Sequence, residues 1–154
     1  MQVNFKPSYK QHLAWQALED KTTEEVVYGG AAGGGKSYLG CSWKIYRRLR
    51  YPGSRGMTGR AALKYIKEST LVTYFKVLAE WGLQPGKDYK FNAQDFYLEF
   101  SNGNREVFKE LSFYPSDPEY QRLGSSEYTD VWIEEDFDGI PEKAADIAKT
   151  RIRW

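Results

Sequence analysis

A glycine-rich stretch constrains the fold of this chain more than any other feature of its sequence. It matches the pattern G-x-x-x-x-G-K-[ST] at every fixed position, and its residues are Gly30, Ala31, Ala32, Gly33, Gly34, Gly35, Lys36 and Ser37. Glycine tolerates the dihedral angles of a tight loop, and without side chains the backbone N–H groups can approach a phosphate closely. A strand-like run precedes the stretch and a helical pattern follows it, the context that a phosphate-binding loop requires. This context disfavours the alternative, a glycine-rich linker.

The loop predicts a nucleotide site in which each part has its own role. Backbone N–H groups from Gly30 through Tyr38, at the loop and the helix N-terminus, are expected to bind the α- and β-phosphates. Lys36 is expected to reach the β- and γ-phosphates, and the Ser37 hydroxyl to ligate Mg²⁺. The predicted ligands are therefore a nucleoside triphosphate and magnesium.

A second candidate element is the apolar run 130–133, which ends in the carboxylates of Glu134 and Glu135. In P-loop ATPases an acid at this place orients the magnesium ion, and the next acid can polarise the attacking water. We assign Glu134 to the metal and Glu135 to general-base catalysis. Aspartate is more frequent than glutamate as the metal acid, which leaves the division of roles open. A solvated acidic turn is the alternative, because Asp136 and Asp138 follow closely.

Hydrophobic periodicity and turn signals predict the order of the elements. The predicted helices are 9–20, 36–50, 63–81 and 141–152, and the predicted strands are 24–28, 55–60, two segments within 91–113 that turn at 101–104, and 130–133. Ser8 and Gln11 fit a capping box for the first helix. This order predicts one α/β domain over residues 1–154: a three-layer P-loop NTPase of the ASCE type with a mainly parallel sheet.

Composition limits the cellular setting. No apolar run approaches the roughly 18 residues of a membrane span, and the single cysteine, Cys41, cannot form an internal disulfide. We therefore expect a soluble protein in a reducing cytoplasm. Cys41 lies on an apolar-rich helix, where we expect a buried thiol, and the lone His12 is expected on a helix surface.

Charge is unevenly distributed, although the formal net charge is only +1. No acidic residue lies between Val26 and Lys67, whereas ten acids lie between Asp117 and Asp146. Such asymmetry suits a phosphate-rich ligand on one side and a metal-holding cluster on the other. The alternative for the basic block is a solvated helix face, formed by Lys44, Arg47, Arg48 and Arg50.

Taken together, these features resemble the large terminase subunits of tailed bacteriophages, in particular their N-terminal ATPase domain. The resemblance runs in order over nearly the whole chain. The segments that carry it are Gln11 upstream of Tyr28-Gly29-Gly30, the glycine loop, Gly59-Arg60, Arg122-Leu123-Gly124, and Val131-Trp132-Ile133-Glu134-Glu135.

The resemblance implies an activity and a set of partners. Hydrolysis of ATP with Mg²⁺ would drive double-stranded DNA into a viral capsid, in the cytoplasm of an infected bacterial host. The expected partners are a portal protein, a small terminase subunit and further copies of the chain in a homo-oligomeric ring. Two alternatives remain open: a helicase-like ATPase that remodels nucleic acids, and a non-catalytic nucleotide-binding assembly module.

Further roles for individual residues follow from the resemblance alone. Gln11 is expected to contact adenine, although its capping role explains the residue equally well. Tyr9 is a candidate for stacking on the base, and Arg60 for sensing phosphate or contacting DNA.

Arg122 resembles the arginine that stabilises charge on the transferring phosphoryl group, either in cis or from a neighbouring subunit. The alternative is a surface arginine that pairs with Glu119 or Glu127.

The resemblance also implies a longer polypeptide. Large terminase subunits continue well past 154 residues into a nuclease domain. We therefore expect a partial domain that lacks one or two strands of the sheet, binds ATP and hydrolyses it weakly on its own.

Overall fold

The computed structural model describes residues 5–29, 35–124, 126–134 and 139–153. Helices lie before and after the first strand, and three strands then follow in succession. The helices are α1 (Tyr9–Glu19), α2 (Lys36–Arg50), α3 (Leu63–Tyr65), α4 (Leu71–Glu80) and α5 (Glu142–Thr150), with a π-helical turn at Ile66–Thr70 and a 3₁₀ turn at Gln121–Leu123. The strands are β1 (Arg55–Arg60), β2 (Tyr89–Asn92), β3 (Tyr97–Phe100), β4 (Arg105–Glu110) and β5 (Asp130–Ile133).

The five strands form one sheet in the order β2-β3-β4-β1-β5. Strand β1 pairs in parallel with β4 and β5, whereas β2–β3 and β3–β4 are antiparallel. The sheet is therefore mixed: β4, β1 and β5 are parallel, as predicted, and β2 and β3 add an antiparallel edge that the prediction did not include. Short turns link β2, β3 and β4, and a short turn can only reverse the chain direction, whereas β1 reaches its neighbours through long crossovers.

The strand predicted at 24–28 is wrong. The structure gives this segment no pairing with any strand of the described chain, and Val27 is 84% exposed. Strand propensity reflects packing on a pleated, half-buried surface, so an apolar run without a neighbouring strand does not form a ladder.

Alternate residues of the central strands face opposite helical layers. Phe108 and Trp132 pack into the cluster of α2 and α4 that contains the fully buried Cys41. Met57 and Val107, one position away, pack against Ala148 of α5. Helices therefore cover both faces of the sheet, as the three-layer prediction required, and the prediction of a buried thiol is confirmed.

The helix predicted at 63–81 is present but is interrupted. Helical segments follow one another from Leu63 to Glu80, with the π-helical turn between α3 and α4, and Gly82 ends the run with a positive φ of 74°. Among the helices of the described ranges, none is both long and apolar enough to cross a membrane.

Helix α1 begins with the predicted capping box. The Ser8 N–H donates to Gln11 Oε1 at 2.9 Å, and the Gln11 N–H donates to Ser8 Oγ at 3.3 Å. His12 is exposed on this helix, as predicted.

Candidate active site

Two predicted site residues that are 97 positions apart in sequence meet in the structure. Ser37 lies in the first turn of α2, and Glu134 directly follows β5. The Ser37 hydroxyl donates to Glu134 Oε1, and the Glu134 N–H donates to the Gly59 carbonyl at 3.0 Å. Glu134 is only 3% exposed, so its carboxylate depends on protein partners rather than on water.

The other oxygen of Glu134 is bound by a residue of the π-helical turn, with a cation of β1 nearby. Thr70 Oγ1 donates to Glu134 Oε2 at 2.5 Å. Arg60 Nη1 donates to Thr70 Oγ1 at 3.2 Å and lies 4.0 Å from Glu134 Oε2. Arg60 was proposed from the sequence to sense phosphate or contact DNA, and the structure places it beside the candidate metal acid.

Sequence reasoning missed Thr70, which it counted only as one position of an apolar helix stripe. The signal was present, because Thr70 is the only hydroxyl-bearing aliphatic residue between Ile66 and Leu78 on that stripe. A polar side chain on a buried stripe requires a hydrogen-bond partner, and Thr70 is fully buried.

Most of the predicted phosphate loop lies outside the described residues. Gly30, Ala31, Ala32, Gly33 and Gly34 are among these, so their role in phosphate binding stays a prediction. Glu135 also lies outside the described ranges, and its role as general base stays a prediction.

The end of the loop is described, and it leads into a helix N-terminus. Gly35 has a φ of +71°, a conformation that glycine adopts without strain, and Lys36 begins α2. The N–H groups of a first helical turn point out of the end of the helix and can bind an anion. The geometry is thus compatible with the predicted phosphate contacts.

Gln11 lies beside this helix start. Its Nε2 donates to the Gly35 carbonyl at 3.0 Å while its Oε1 accepts the capping bond from Ser8, and the residue is 8% exposed. The structure therefore joins Gln11 to the end of the loop and confirms its capping role. Its contact with adenine, and the stacking role of the 77% exposed Tyr9, stay predictions.

The Tyr38 side chain extends toward the end of α4. Its hydroxyl donates to Glu80 Oε2 at 2.5 Å, and its ring stacks on Phe5 with centroids 5.8 Å apart. Burial and the Glu80 carboxylate raise the pKa of Tyr38 to about 12. Because the Tyr38 hydroxyl is bound to Glu80, the backbone N–H of Tyr38 is the group that we expect to contact a phosphate.

Arg122 is bound within its own loop. Its Nε donates to the Glu110 carbonyl at 3.2 Å, its Nη1 lies 3.3 Å from Asp117 Oδ2, and its guanidinium lies 4.6 Å from the centroid of the Tyr114 ring. The alternative of a surface pair is wrong in its partners, because Glu119 pairs with Lys143 and Glu127 with Arg153. The catalytic role of Arg122 stays a prediction.

A network of buried charges, which the sequence did not reveal, fixes α2 on the sheet. Lys44 Nζ donates to the Asp130 carbonyl at 3.1 Å, Arg47 Nε to Asp130 Oδ2 at 2.9 Å, and Arg48 Nη1 to Glu106 Oε2 at 2.8 Å. Lys44 and Arg48 are fully buried and Arg47 is 6% exposed.

The predicted solvated helix face is therefore wrong for three of its four members, and only Arg50 is exposed. The reason is that this face of α2 packs over Gly56 of β1. A Cβ atom at Gly56 would lie 1.5 Å from Arg48 Nη1 and 2.2 Å from Glu106 Oε2. The absence of a side chain at Gly56 leaves the space that the ion pairs fill.

The two acids of this network differ in their pKa shifts. Burial alone would raise the pKa of Asp130, but the adjacent charges of Lys44 and Arg48 outweigh it and lower the pKa to about 2. Burial raises the pKa of Glu106 above its ordinary value, although the same two cations oppose that shift. Asp130 begins β5 and Glu134 follows it, so the network that holds α2 against β5 also places Ser37 against Glu134.

The donor set at Ser37 and Glu134 fits a magnesium ion. Among the described side chains, no group of three or more His, Cys, Asp and Glu residues could hold a metal. Magnesium does not require such a group, since it commonly takes one or two protein oxygens together with substrate phosphates and water. The adjacent Ser37 hydroxyl and Glu134 carboxylate supply oxygens of this kind.

Comparison with known proteins gives matches in structure but not in sequence. No protein-family model and no curated protein sequence matches the chain. The fold is similar to that of the large terminase from a thermophilic bacteriophage, with a TM-score of 0.74 and 14% identity over 97% of this chain and 37% of that one. The same terminase in complex with ADP gives a TM-score of 0.73 and 16% identity over 94% and 35% of the two chains.

These matches confirm the predicted resemblance at the level of the fold. The chain spans just over a third of the length of the terminase structures that it matches.

Proposed function

We propose that this chain is the ATP-binding and ATP-hydrolysing part of a viral DNA-packaging motor of the large-terminase kind. The observation that carries the proposal is the contact between Ser37 and Glu134, which joins a serine at a helix N-terminus to a buried carboxylate at the end of a parallel strand. The glycine pattern before Ser37 and the fold shared with a terminase that has been solved with ADP support it.

The chain's own residues would divide the work of hydrolysis. Lys36 would bind the β- and γ-phosphates, and Ser37 and Glu134 would hold magnesium. When bound, Mg²⁺ neutralises charge on the phosphate oxygens and orients them. The Ser37 hydroxyl now donates its proton to Glu134, so it must turn before both oxygens can face a cation. Glu135 would accept the proton of the attacking water.

The remaining parts of the proposal concern the assembly. Hydrolysis would move double-stranded DNA into a capsid from a ring of identical subunits that contacts a portal protein and a small terminase subunit, in the cytoplasm of the bacterial host. Arg122 would stabilise charge on the transferring phosphoryl group, which would require its guanidinium to leave Asp117 and the loop carbonyls. An arginine in this role is worth about 10³-fold or more in rate.

Calorimetric titration with a non-hydrolysable ATP analogue and Mg²⁺ tests the nucleotide site. We expect the wild-type chain to bind and Lys36→Ala to lose binding, because the lysine charge pairs with phosphate. Equal binding by both proteins, or none by the wild type, would exclude the proposed site.

Hydrolysis separates an enzyme from an assembly module. We expect weak turnover from the isolated chain, and robust steady-state turnover by the monomer would contradict a dependence on assembly. In the assembled motor, Glu135→Gln should abolish hydrolysis and leave partner binding intact. A module without catalysis would show no change in either measurement.

A further inference from the structure

We propose that Thr70 is a positioning residue that keeps the Glu134 carboxylate directed toward Ser37 and away from Arg60. The inference rests on the proposed function, because it assigns Glu134 to magnesium. The inference assigns a role to a residue outside the glycine loop and the acid pair. It also explains the position of the π-helical turn at Ile66–Thr70, which presents Thr70 to Glu134.

The backbone that carries Thr70 is unusual. The Leu71 N–H bonds to the Ile66 carbonyl five residues earlier, which widens one turn of the helix between α3 and α4. Helical turns of this type make up well under 1% of residues in proteins and are frequent at functional sites. The turn ends at Thr70, the residue that contacts Glu134.

The apolar packing of the helix is preserved through the turn. Leu71 and Tyr74, after the turn, remain in the main hydrophobic cluster, and Ile66, the first residue of the turn, is fully buried. The extra residue of the turn therefore leaves the helix packed on the sheet while the Thr70 hydroxyl lies against the candidate metal acid. The Thr70 carbonyl faces the buried Cys41 thiol, with Sγ at 3.9 Å, which further fixes this turn.

The Thr70 hydroxyl lies between two opposite charges. It accepts from Arg60 Nη1 at 3.2 Å and donates to Glu134 Oε2 at 2.5 Å, whereas the direct distance from Arg60 Nη1 to Glu134 Oε2 is 4.0 Å. This distance is at the outer limit of an ion pair and exceeds a hydrogen bond, so the hydroxyl stands between the two charges and keeps them from a closer, hydrogen-bonded pair. Oε1 remains directed toward Ser37.

Loss of the hydroxyl has two consequences for Glu134. Oε2 loses a donor in a site that is closed to water, and Arg60 becomes the nearest replacement. A closer pair between Arg60 and Glu134 would turn the carboxylate away from Ser37. The arginine charge would also weaken the attraction of the carboxylate for a magnesium ion. The function most affected is therefore magnesium binding, and not nucleotide binding in the absence of metal.

The test measures the affinity of the whole chain for a non-hydrolysable ATP analogue by calorimetry, once with Mg²⁺ and once with EDTA. The dissociation constant in EDTA divided by that in Mg²⁺ reports the contribution of the metal. For Thr70→Val, which keeps the shape and removes the hydroxyl, we expect the ratio to fall by roughly 10- to 100-fold, as for partners of metal ligands generally. The affinity measured in EDTA should not change.

Two variants separate positioning from a general structural effect. Thr70→Ser restores the hydroxyl and should restore the ratio. Thr73→Val makes the same substitution three residues further along the helix, where the hydroxyl bonds to the Ser69 carbonyl, and should leave the ratio at the wild-type value. If Thr70→Val does not fold, Thr70→Ala removes the same hydroxyl and takes its place.

The outcomes distinguish this inference from the proposed function. A wild-type ratio retained in folded Thr70→Val or Thr70→Ala would overturn the role of Thr70 and leave the nucleotide site intact. A ratio that falls equally in Thr70→Ser would also overturn it. Absence of nucleotide binding in the wild type, or undiminished binding by Lys36→Ala, would instead reject the proposed function, and the role of Thr70 with it.

Discussion

Gln11 Nε2 donates to the backbone carbonyl of Gly35 at 3.0 Å, so the start of α1 is tied to the residue that precedes α2. The same side chain caps α1 through its Oε1. One amide thus serves both the stability of a helix and the position of the loop end. A change at Gln11 is therefore expected to affect two measurable properties.

Gln11→Ala should lower both the free energy of unfolding and the affinity for an ATP analogue. The loss of a helix-capping partner and of the bond to Gly35 should cost about 1–2 kcal/mol in urea unfolding. Gln16→Ala, on the exposed face of the same helix, serves as the control and should change neither property. If Gln11 also contacts adenine, Gln11→Ala should lose more affinity for the ATP analogue than for the corresponding GTP analogue.

Gly56→Ala should destabilise the chain strongly. Its Cβ would lie 1.5 Å from Arg48 Nη1, and disruption of a buried ion pair that leaves a charge without its partner typically costs about 3–5 kcal/mol. Gly29→Ala is the control, because its Cβ would have no atom of the described residues within 4 Å. Chemical denaturation compares the two variants with the wild type, and equal stability of both would show that Arg48 and Glu106 are not packed as described.

The Asp130 carboxyl should titrate at a pKa of about 2, below its ordinary value of 3.8. The folded-state pKa is the lower one, so the stabilisation by Asp130 is present above about pH 4 and is lost as the pH falls toward 2. Glu106 does not obscure this window, because its folded-state pKa is raised and its contribution to the pH dependence lies above 4.5. The Asp130 ¹³Cγ chemical shift measures the titration directly, and a midpoint near 3.8 would contradict the buried pairing with Lys44 and Arg48.

Arg122→Ala should destabilise the chain more than Lys143→Ala does. Arg122 binds two backbone carbonyls and Asp117 in a partly buried loop, whereas the pair of Lys143 with Glu119 is exposed and should contribute at most about 1 kcal/mol. Thermal unfolding of the two variants tests the difference. A larger loss for Lys143→Ala would mean that the contacts of Arg122 do not stabilise the loop.

Local signals in the sequence predicted the features whose partners are close in the chain. The β3–β4 turn follows from Asn102-Gly103, and Gly103 indeed has a φ of +87°. The capping box of α1 depends on residues three positions apart and was equally predictable. The contact between Ser37 and Glu134 was inferred across 97 residues only because both belong to recognisable motifs.

Features that depend on distant partners without a motif could not be predicted. Lys44 and Arg48 have the sequence pattern of a solvated helix face, and their partners Asp130 and Glu106 are 86 and 58 residues away. Nothing in the local sequence indicates that Gly56 leaves space for these side chains. Thr70 was predictable only in part: its hydroxyl on an apolar stripe indicates a buried partner, but the π-helical turn that presents it to Glu134 has no recognised pattern in the sequence.

Binding of Mn²⁺ in place of Mg²⁺ tests the central claim most directly, because electron paramagnetic resonance reports free Mn²⁺ in solution. With a non-hydrolysable ATP analogue present, the wild-type chain should reduce the free Mn²⁺ signal below that of the analogue alone. Ser37→Ala and Glu134→Gln should each diminish that reduction, because each removes one proposed ligand of the ion. No reduction by the wild type, or an equal reduction by all three proteins, would contradict a metal–nucleotide site built on Ser37 and Glu134.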